Sequence, residues 1–235
     1  LQVQREEFIR LGVAGDWADR YATMDFASEA AIAGEIGKFL MNGSLYRGLR
    51  PVMWSPVEKT ALAEAEIEYH DHVSPTLHAK FRILKTGAAD LVGADVVIWT
   101  TTPWTIPQNR AVSFGPTLAY GIYRVDALGE NSTAKVGELL VLGDALAEGV
   151  MKSARVEGFT RLRDVTADEM TGVLLAHPYR GIEGGAGEWD FDVPLLPGDH
   201  VTDDAGTGFV HTAPSHGDDD YQMGVKFGLP MTYNV

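Results

Sequence analysis

Apolar residues recur at two spacings along this chain, and the change from one to the other divides it. Near the N-terminus, Ile32, Ile36, Phe39 and Leu40 fall at i, i+4, i+7 and i+8, one stripe of a helix. Asp25 is placed to cap its start and Gly43 to end it. Residues 1–11 predict an earlier helix. Beyond residue 60 the period drops to two. Over residues 61–69, Glu64, Glu66 and Glu68 alternate with Ala65, Ile67 and Tyr69, and the alternation predicts a strand although Ala and Glu are helix formers. Over residues 76–84, Leu77, Ala79, Phe81 and Ile83 alternate with His78, Lys80 and Arg82. Paired antiparallel across a turn at residues 70–75, the two segments would set a carboxylate row against a basic row and turn one apolar face to a core. The alternative is two solvated charged faces that do not meet.

Residues 95–102 predict a strand that is apolar until it reaches three threonines. Further strands are expected at residues 118–125, 138–142, 155–159, 173–177, 192–196 and 208–213. Asp144 is placed to cap a short helix running to Lys152, and Thr166 with Glu169 has the spacing of a capping box. Residues 217–227 predict a last helix with Asp218, Asp219 and Asp220 in its first turn and Gly228 after its end. Many short strands punctuated by Gly and Pro imply an α+β, β-rich fold: a barrel-like antiparallel sheet core with peripheral helices.

Composition changes this picture little, and charge changes it more. The charged and apolar fractions of the 235 residues are ordinary for a folded protein. The lack of cysteine excludes a disulfide framework and a thiolate metal site. No apolar run approaches the roughly 18 residues of a membrane span, so the expectation is a cytoplasmic protein with no membrane partner. The helical pattern is already under way at Leu1, which suggests a piece of a longer protein. Asn131-Ser132-Thr133 matches a glycosylation acceptor and is read as a polar turn. Residues 1–60 hold 7 Lys/Arg and 8 Asp/Glu, net −1, and residues 61–235 hold 12 and 25, net −13, which together give −14. Such a surface lacks the positive stripe of a sequence-independent nucleic-acid binder.

Two stretches carry candidate chemistry. The first is Trp99-Thr100-Thr101-Thr102-Pro103-Trp104 and onward to Asn109, where a strand ends at a proline and leaves hydroxyls free of the ladder for a small polar ligand. Thr is also simply a good strand residue, and Trp a good core residue. The second runs from Gly206 through His211 and Ala213 to Asp220. No Lys or Arg lies between Arg180 and Lys226, whereas ten acids do, so a site here suits a cation and repels a phosphate. Acids in a first helical turn also complement the helix dipole, but three adjacent ones repel each other. His211 is a candidate polar contact, and His216 a candidate helix cap. A metal held by His211, His216 and one Asp is a weaker reading, because the spacing matches no zinc signature. P-loop, dinucleotide and Gly-x-Ser-x-Gly motifs are all missing, so water is the expected nucleophile of any hydrolysis.

These two stretches closely resemble the editing (connective-peptide) domain inserted into isoleucyl-tRNA synthetases, members of the class I aminoacyl-tRNA synthetases. The likeness extends to Gly15-Asp16-Trp17 and to residues 61–69. It implies an editing domain over residues 56–235, preceded at residues 1–55 by a helical segment joining it to the synthetic domain. The synthetic motifs His-Ile-Gly-His and Lys-Met-Ser-Lys-Ser are absent, so this piece should not activate amino acids, and ATP and Mg would belong to the rest of the parent enzyme. The implied reaction is hydrolysis of valine wrongly esterified to the isoleucine tRNA; the isoleucine/valine pair is itself the general example of why a second sieve is needed. By the resemblance, Thr102, Asn109, His211 and Asp220 are catalytic. Trp99, Thr100, Thr101, Thr102, Trp104, His211, Ala213 and Asp220 bind substrate, with Asp220 holding the α-ammonium and Thr102 and His211 excluding isoleucine by size. No cofactor is implied for the fragment. Its partners would be the 3' aminoacyl end of the isoleucine tRNA and the rest of the parent synthetase. The alternative is a non-catalytic module that binds amino acids or aminoacyl groups. The chain departs from the family at Ser55 and Glu58, where relatives often carry a Cys-x-x-Cys metal pair, so no metal is expected. Ser215 and Asp218 also stand where Gly and Pro are common.

Overall fold

Helices come first and strands afterwards. In the computed structural model, which describes residues 1–233, the chain divides into two units, Leu1–Gly48 and Leu49–Val235. The first holds α1 (Gln2–Arg10) and α2 (Phe26–Met41). Asp25 stands at the position before α2, yet its carboxylate binds the Arg20 guanidinium at 2.7 Å and makes no cap hydrogen bond. The stripe of Ile32, Ile36, Phe39 and Leu40 stays exposed.

The second unit opens with a short ladder, β1 (Trp54–Ser55) on β2 (Thr60–Ala61). Its turn is closed by the Lys59 N–H on the Ser55 carbonyl at 2.8 Å and by the Ser55 hydroxyl on the Glu58 carboxylate. The strand expected over residues 61–69 does not form. Only its first residue pairs, and Glu64–Glu66 coil into a 3-10 turn in which the Glu66 carboxylate takes the Ala63 N–H at 2.8 Å. The next strand, β3 (Leu77–Lys85), pairs instead with β4 (Asp95–Thr100) along Leu77–Arg82 and with β9 (Leu174–Ala176) at Ile83 and Lys85. Unpaired with it, the Ala- and Glu-rich segment follows its local propensity. The basic row of β3 finds acids elsewhere: Lys80 meets Glu138 at 2.6 Å, and Arg82 forks onto buried Asp95 at 3.1 Å through each nitrogen.

The remaining strands are β5 (Ala111–Phe114), β6 (Tyr120–Leu128), β7 (Leu139–Gly143), β8 (Val156–Val165), β10 (Asp192–Pro197) and β11 (Phe209–Thr212), with α3 (Ala147–Ser153), α4 (Ala167–Met170) and α5 (Asp218–Phe227) beside them. β5 escapes the sequence pattern because all four of its residues are buried and nothing alternates. The capping box at α4 forms, Thr166 and Glu169 exchanging bonds of 2.9 and 3.3 Å. Asp144, by contrast, does not cap α3. It accepts the Tyr123 hydroxyl at 2.6 Å and a fork from Arg161 at 3.0 and 2.6 Å, because two partners across the sheet outcompete a helix start one turn away.

Nine strands form one sheet in the order β11-β5-β10-β9-β3-β4-β7-β6-β8. The β-rich α+β class is as expected, and the barrel-like antiparallel core is corrected in two details. The ladders β10–β5 and β4–β7 are parallel, and the sheet begins at β11 and ends at β8 without a closing ladder. It curls all the same. Phe209 of β11 shares a core with Phe81, Val96, Ile98 and Ile122 of the middle strands, while Val97, Tyr123, Leu140 and Leu142 face the opposite way onto Val150 and Met151 of α3. Where β11 reaches β7, the Gly143 N–H bonds the Thr207 carbonyl at 2.9 Å. A Cβ built on Gly208 would come within 2.9 Å of the Gly143 backbone, and Gly208 has φ +84°, so only glycine fits the join.

Candidate functional site

The end of β4 and the start of β11 face each other across a hollow of about 350 Å³. On one side Trp99 and the three threonines line it. The Thr102 N–H bonds the Thr100 hydroxyl at 3.1 Å, and the two hydroxyls lie 3.3 Å apart, so the chain leaves the ladder here through side-chain bonds. Pro103–Gln108 then winds into a 3-10 turn that buries Thr105 and Ile106 and turns Trp104 outward, 62% exposed.

On the other side β11 pairs with β5, His211 opposite Val112, which directs the imidazole inward. Buried Asn109 donates through Nδ2 to the Ala111 carbonyl at 2.7 Å and faces His211 Nδ1 at 2.8 Å. A carbonyl can only accept, so the Asn109 amide nitrogen faces both groups as donor and His211 Nδ1 must be the accepting nitrogen. The proton is therefore on Nε2, which meets the Thr105 hydroxyl at 2.9 Å; that hydroxyl in turn donates to the Thr102 carbonyl at 2.8 Å. Burial, with smaller contributions from His216 and His177, pushes the His211 pKa down to about 4. The ring is neutral at pH 7, and both nitrogens are engaged. It is a fixed wall rather than a base, and it offers no lone pair to the metal arrangement considered above.

Asp220 projects from the first turn of α5. Its Oδ2 accepts the Ala213 N–H at 2.8 Å, yet burial pushes its pKa up to about 6; the Ala213 bond opposes the rise and Asp219 adds to it. His216 does not cap α5, whose N-cap is Gly217. It meets Gln108 Oε1 at 2.7 Å through Nε2, tying the loop before α5 to the 3-10 turn. Burial lowers its pKa.

Of the residues considered from sequence, Trp99, Thr100, Thr101, Thr102, His211, His216 and Asp220 line the hollow together. Asn109 stands behind His211, Ala213 contributes its N–H to Asp220, and Trp104 points away from the lining. Thr105, Phe209 and Val210 line it without having been singled out. Thr105 belongs to the same run of hydroxyls, and that was the available signal. Among the described residues of the lining, Asp220 is the one acid, and no Lys or Arg accompanies it. At neutral pH the pocket thus presents one uncompensated carboxylate among hydroxyls and neutral rings, an arrangement that attracts an ammonium group.

A family model described as tRNA synthetases class I (I, L, M and V) matches residues 1–178. The chain is similar to the isoleucine–tRNA ligase of Rhodopseudomonas palustris, 58% identical over 223 residues, covering 95% of this chain and 22% of that protein. Against the corresponding ligase of Caulobacter vibrioides it is 56% identical over 232 residues, covering 97% of this chain and 23% of that protein. The chain therefore spans less than a quarter of the length of these curated relatives. Among solved structures, the P. knowlesi cytosolic leucyl-tRNA synthetase editing domain matches with a TM-score of 0.48 and 12% identity, covering 65% of this chain and 62% of that one. Among the described residues, no helix is long and apolar enough to cross a membrane.

Proposed function

The chain belongs to the class I tRNA synthetases of the I, L, M and V group, and on that premise we propose that the hollow between β4 and β11 is an editing site that hydrolyses the ester of valine wrongly attached to the isoleucine tRNA. The observation that carries this reading is Asp220. An aminoacyl ester at neutral pH bears a free α-ammonium, and Asp220 is a half-buried carboxylate without a cationic partner in a pocket otherwise uncharged. The side chain of valine would lie against Thr102 and His211, and the additional methylene of isoleucine would meet them.

In this reading a water oxygen attacks the ester carbonyl carbon, the bond from that carbon to the ribose oxygen breaks, and the ribose oxygen leaves as a hydroxyl carrying a proton. The engaged nitrogens of His211 take no part in moving that proton. The vicinal ribose hydroxyl of the substrate is the group placed to orient the water, with the threonine hydroxyls polarising the carbonyl. The tRNA body would be held by the rest of the parent synthetase in the cytoplasm, since the chain's net charge of −14 gives phosphates little purchase.

The test is to incubate the chain with valyl- and isoleucyl-forms of the isoleucine tRNA and follow amino-acid release. Release of valine well above that of isoleucine is expected. Release at the buffer rate for both, even at high protein concentration, would leave a binding module instead. Full rates at low tRNA concentration would overturn the dependence on the missing parts.

A further inference from the structure

We propose that His177 and Trp189, neither of which lines the pocket, are positioning residues that set its threonine wall from behind; the proposal rests on the editing reading for its effect on rate. The 3-10 turn Pro103–Gln108 is six residues long, whereas such turns rarely exceed about four. Pro103 and Pro107 remove two N–H groups from it. Its last carbonyls are fastened from outside. His177 Nε2 bonds the Ile106 carbonyl at 2.9 Å, and Trp189 Nε1 bonds the Pro107 carbonyl at 2.8 Å.

Both donors are themselves fixed. The Tyr179 N–H bonds His177 Nδ1 at 3.1 Å, so the His177 proton must be on Nε2, and only that tautomer can hold Ile106. Burial, together with the charges of Arg110 and Arg180, pushes the His177 pKa down to about 4 and keeps the ring neutral. Trp189 stacks on His177 with centroids 6.2 Å apart and planes at 23°, and Tyr179 packs edge-on against the same indole at 5.4 Å. These rings come from the segment that connects β9 to β10, and none of them lines the hollow.

The turn so held presents Thr105 and, at its end, Asn109, which are the two contacts on either side of the His211 ring. Displacing the Ile106 and Pro107 carbonyls would shift both contacts together and release the His211 tautomer. Catalytic geometry is sensitive at this scale, a misplacement of about 1 Å costing on the order of 100-fold in rate.

The experiment uses the full chain and three variants. Trp189→Phe keeps the ring and loses the donor, His177→Leu loses the donor, and His177→Gln keeps an amide donor near the same place. Release of valine from valyl-tRNA is measured as kcat and KM, and the ring nitrogens of His211 are followed by 15N NMR. Trp189→Phe and His177→Leu should lower kcat about 10-fold or more with KM changed less than about 3-fold, and His177→Gln should restore most of kcat. The His211 signals should show a single Nε2–H tautomer in the parent chain and a mixture in Trp189→Phe. Unchanged His211 signals in a folded Trp189→Phe chain, or unchanged kcat, would overturn the proposal. If His177→Leu does not fold, Trp189→Phe carries the test. If the parent chain releases no valine, the editing reading fails while the NMR signals still decide the positioning.

Discussion

Two hollows in the larger unit differ in a way that volume alone would rank wrongly. The one beside α3 and β8 is larger, about 520 Å³, and Glu130, Glu148, Glu157, Lys152 and Arg155 stand around it. Its charges are of both signs, three acids and two bases on long side chains that solvent reaches, so they hold no fixed direction. The hollow at β4 and β11 is smaller, about 350 Å³, but buried Thr100, Thr105 and His211 hold its wall in one hydrogen-bonded arrangement, with Asn109 behind. Immobilised polar groups around one unpaired charge make a site; a roomier cleft lined by flexible ions does not.

The sharpest way to break this comparison is at Asp220. Replacing it with Ala should lower valine release by about 100-fold or more with the fold intact, the loss expected when a buried charge-assisted bond to an ammonium is removed; an unchanged rate in a release assay would remove Asp220 from the site. The pH profile is the next largest effect. Because the Asp220 pKa is raised to about 6, kcat/KM should fall roughly tenfold per unit as pH drops below that value. The decline should be absent in Asp220→Asn. Third, Thr102→Ala or His211→Ala should raise release of isoleucine by about 10-fold, the scale of one methylene in an apolar wall. Continued rejection by both variants would place the steric filter elsewhere.

A smaller effect has the opposite sign and concerns stability. A carboxylate whose folded pKa lies near 6 against 3.8 unfolded binds its proton more tightly in the folded state. Its burial therefore costs stability above pH 6, and the cost disappears as pH falls toward 4. Asp220→Asn should accordingly raise the melting temperature at pH 8 by a few degrees, for a gain on the order of 1–3 kcal/mol, and by nothing at pH 4. Last, Glu148→Gln in the larger hollow should change release by less than about twofold.

What could be read from the chain followed from how local each signal was. The period-2 run of β3, the capping box at Thr166 and the helix bounded by Gly217 and Gly228 depend on neighbours in sequence, and all three formed. The pocket walls were legible for the same reason, since Trp99 to Thr102 and His211 to Asp220 are contiguous motifs. Residues 61–69 differ because alternation says nothing about which strand a segment pairs with, and β3 pairs with β4 and β9 instead. β5 was invisible because a strand buried along its whole length has no polar face to mark it. Asn109 as the hydrogen-bond partner of His211, and His177 and Trp189 holding the turn, left no trace in sequence, because each acts on a backbone or ring far away along the chain.

The join between Gly143 and Thr207 also fixes when the pocket can exist. Its two walls lie about a hundred residues apart in the chain and meet only after β5 has been flanked by β10 and β11 and the curl has brought Thr207, just before β11, to the end of β7. Loop-closure entropy must be met before those contacts can repay it, so the walls should meet late in folding, after the local β6–β7 pairing. The same order read backwards makes β11 an early element to detach. In native-state hydrogen exchange the amides of Val210 and Thr212 should open at lower free energy than those of Ile122 and Val141, which gives the pocket a lifetime shorter than that of the fold that carries it.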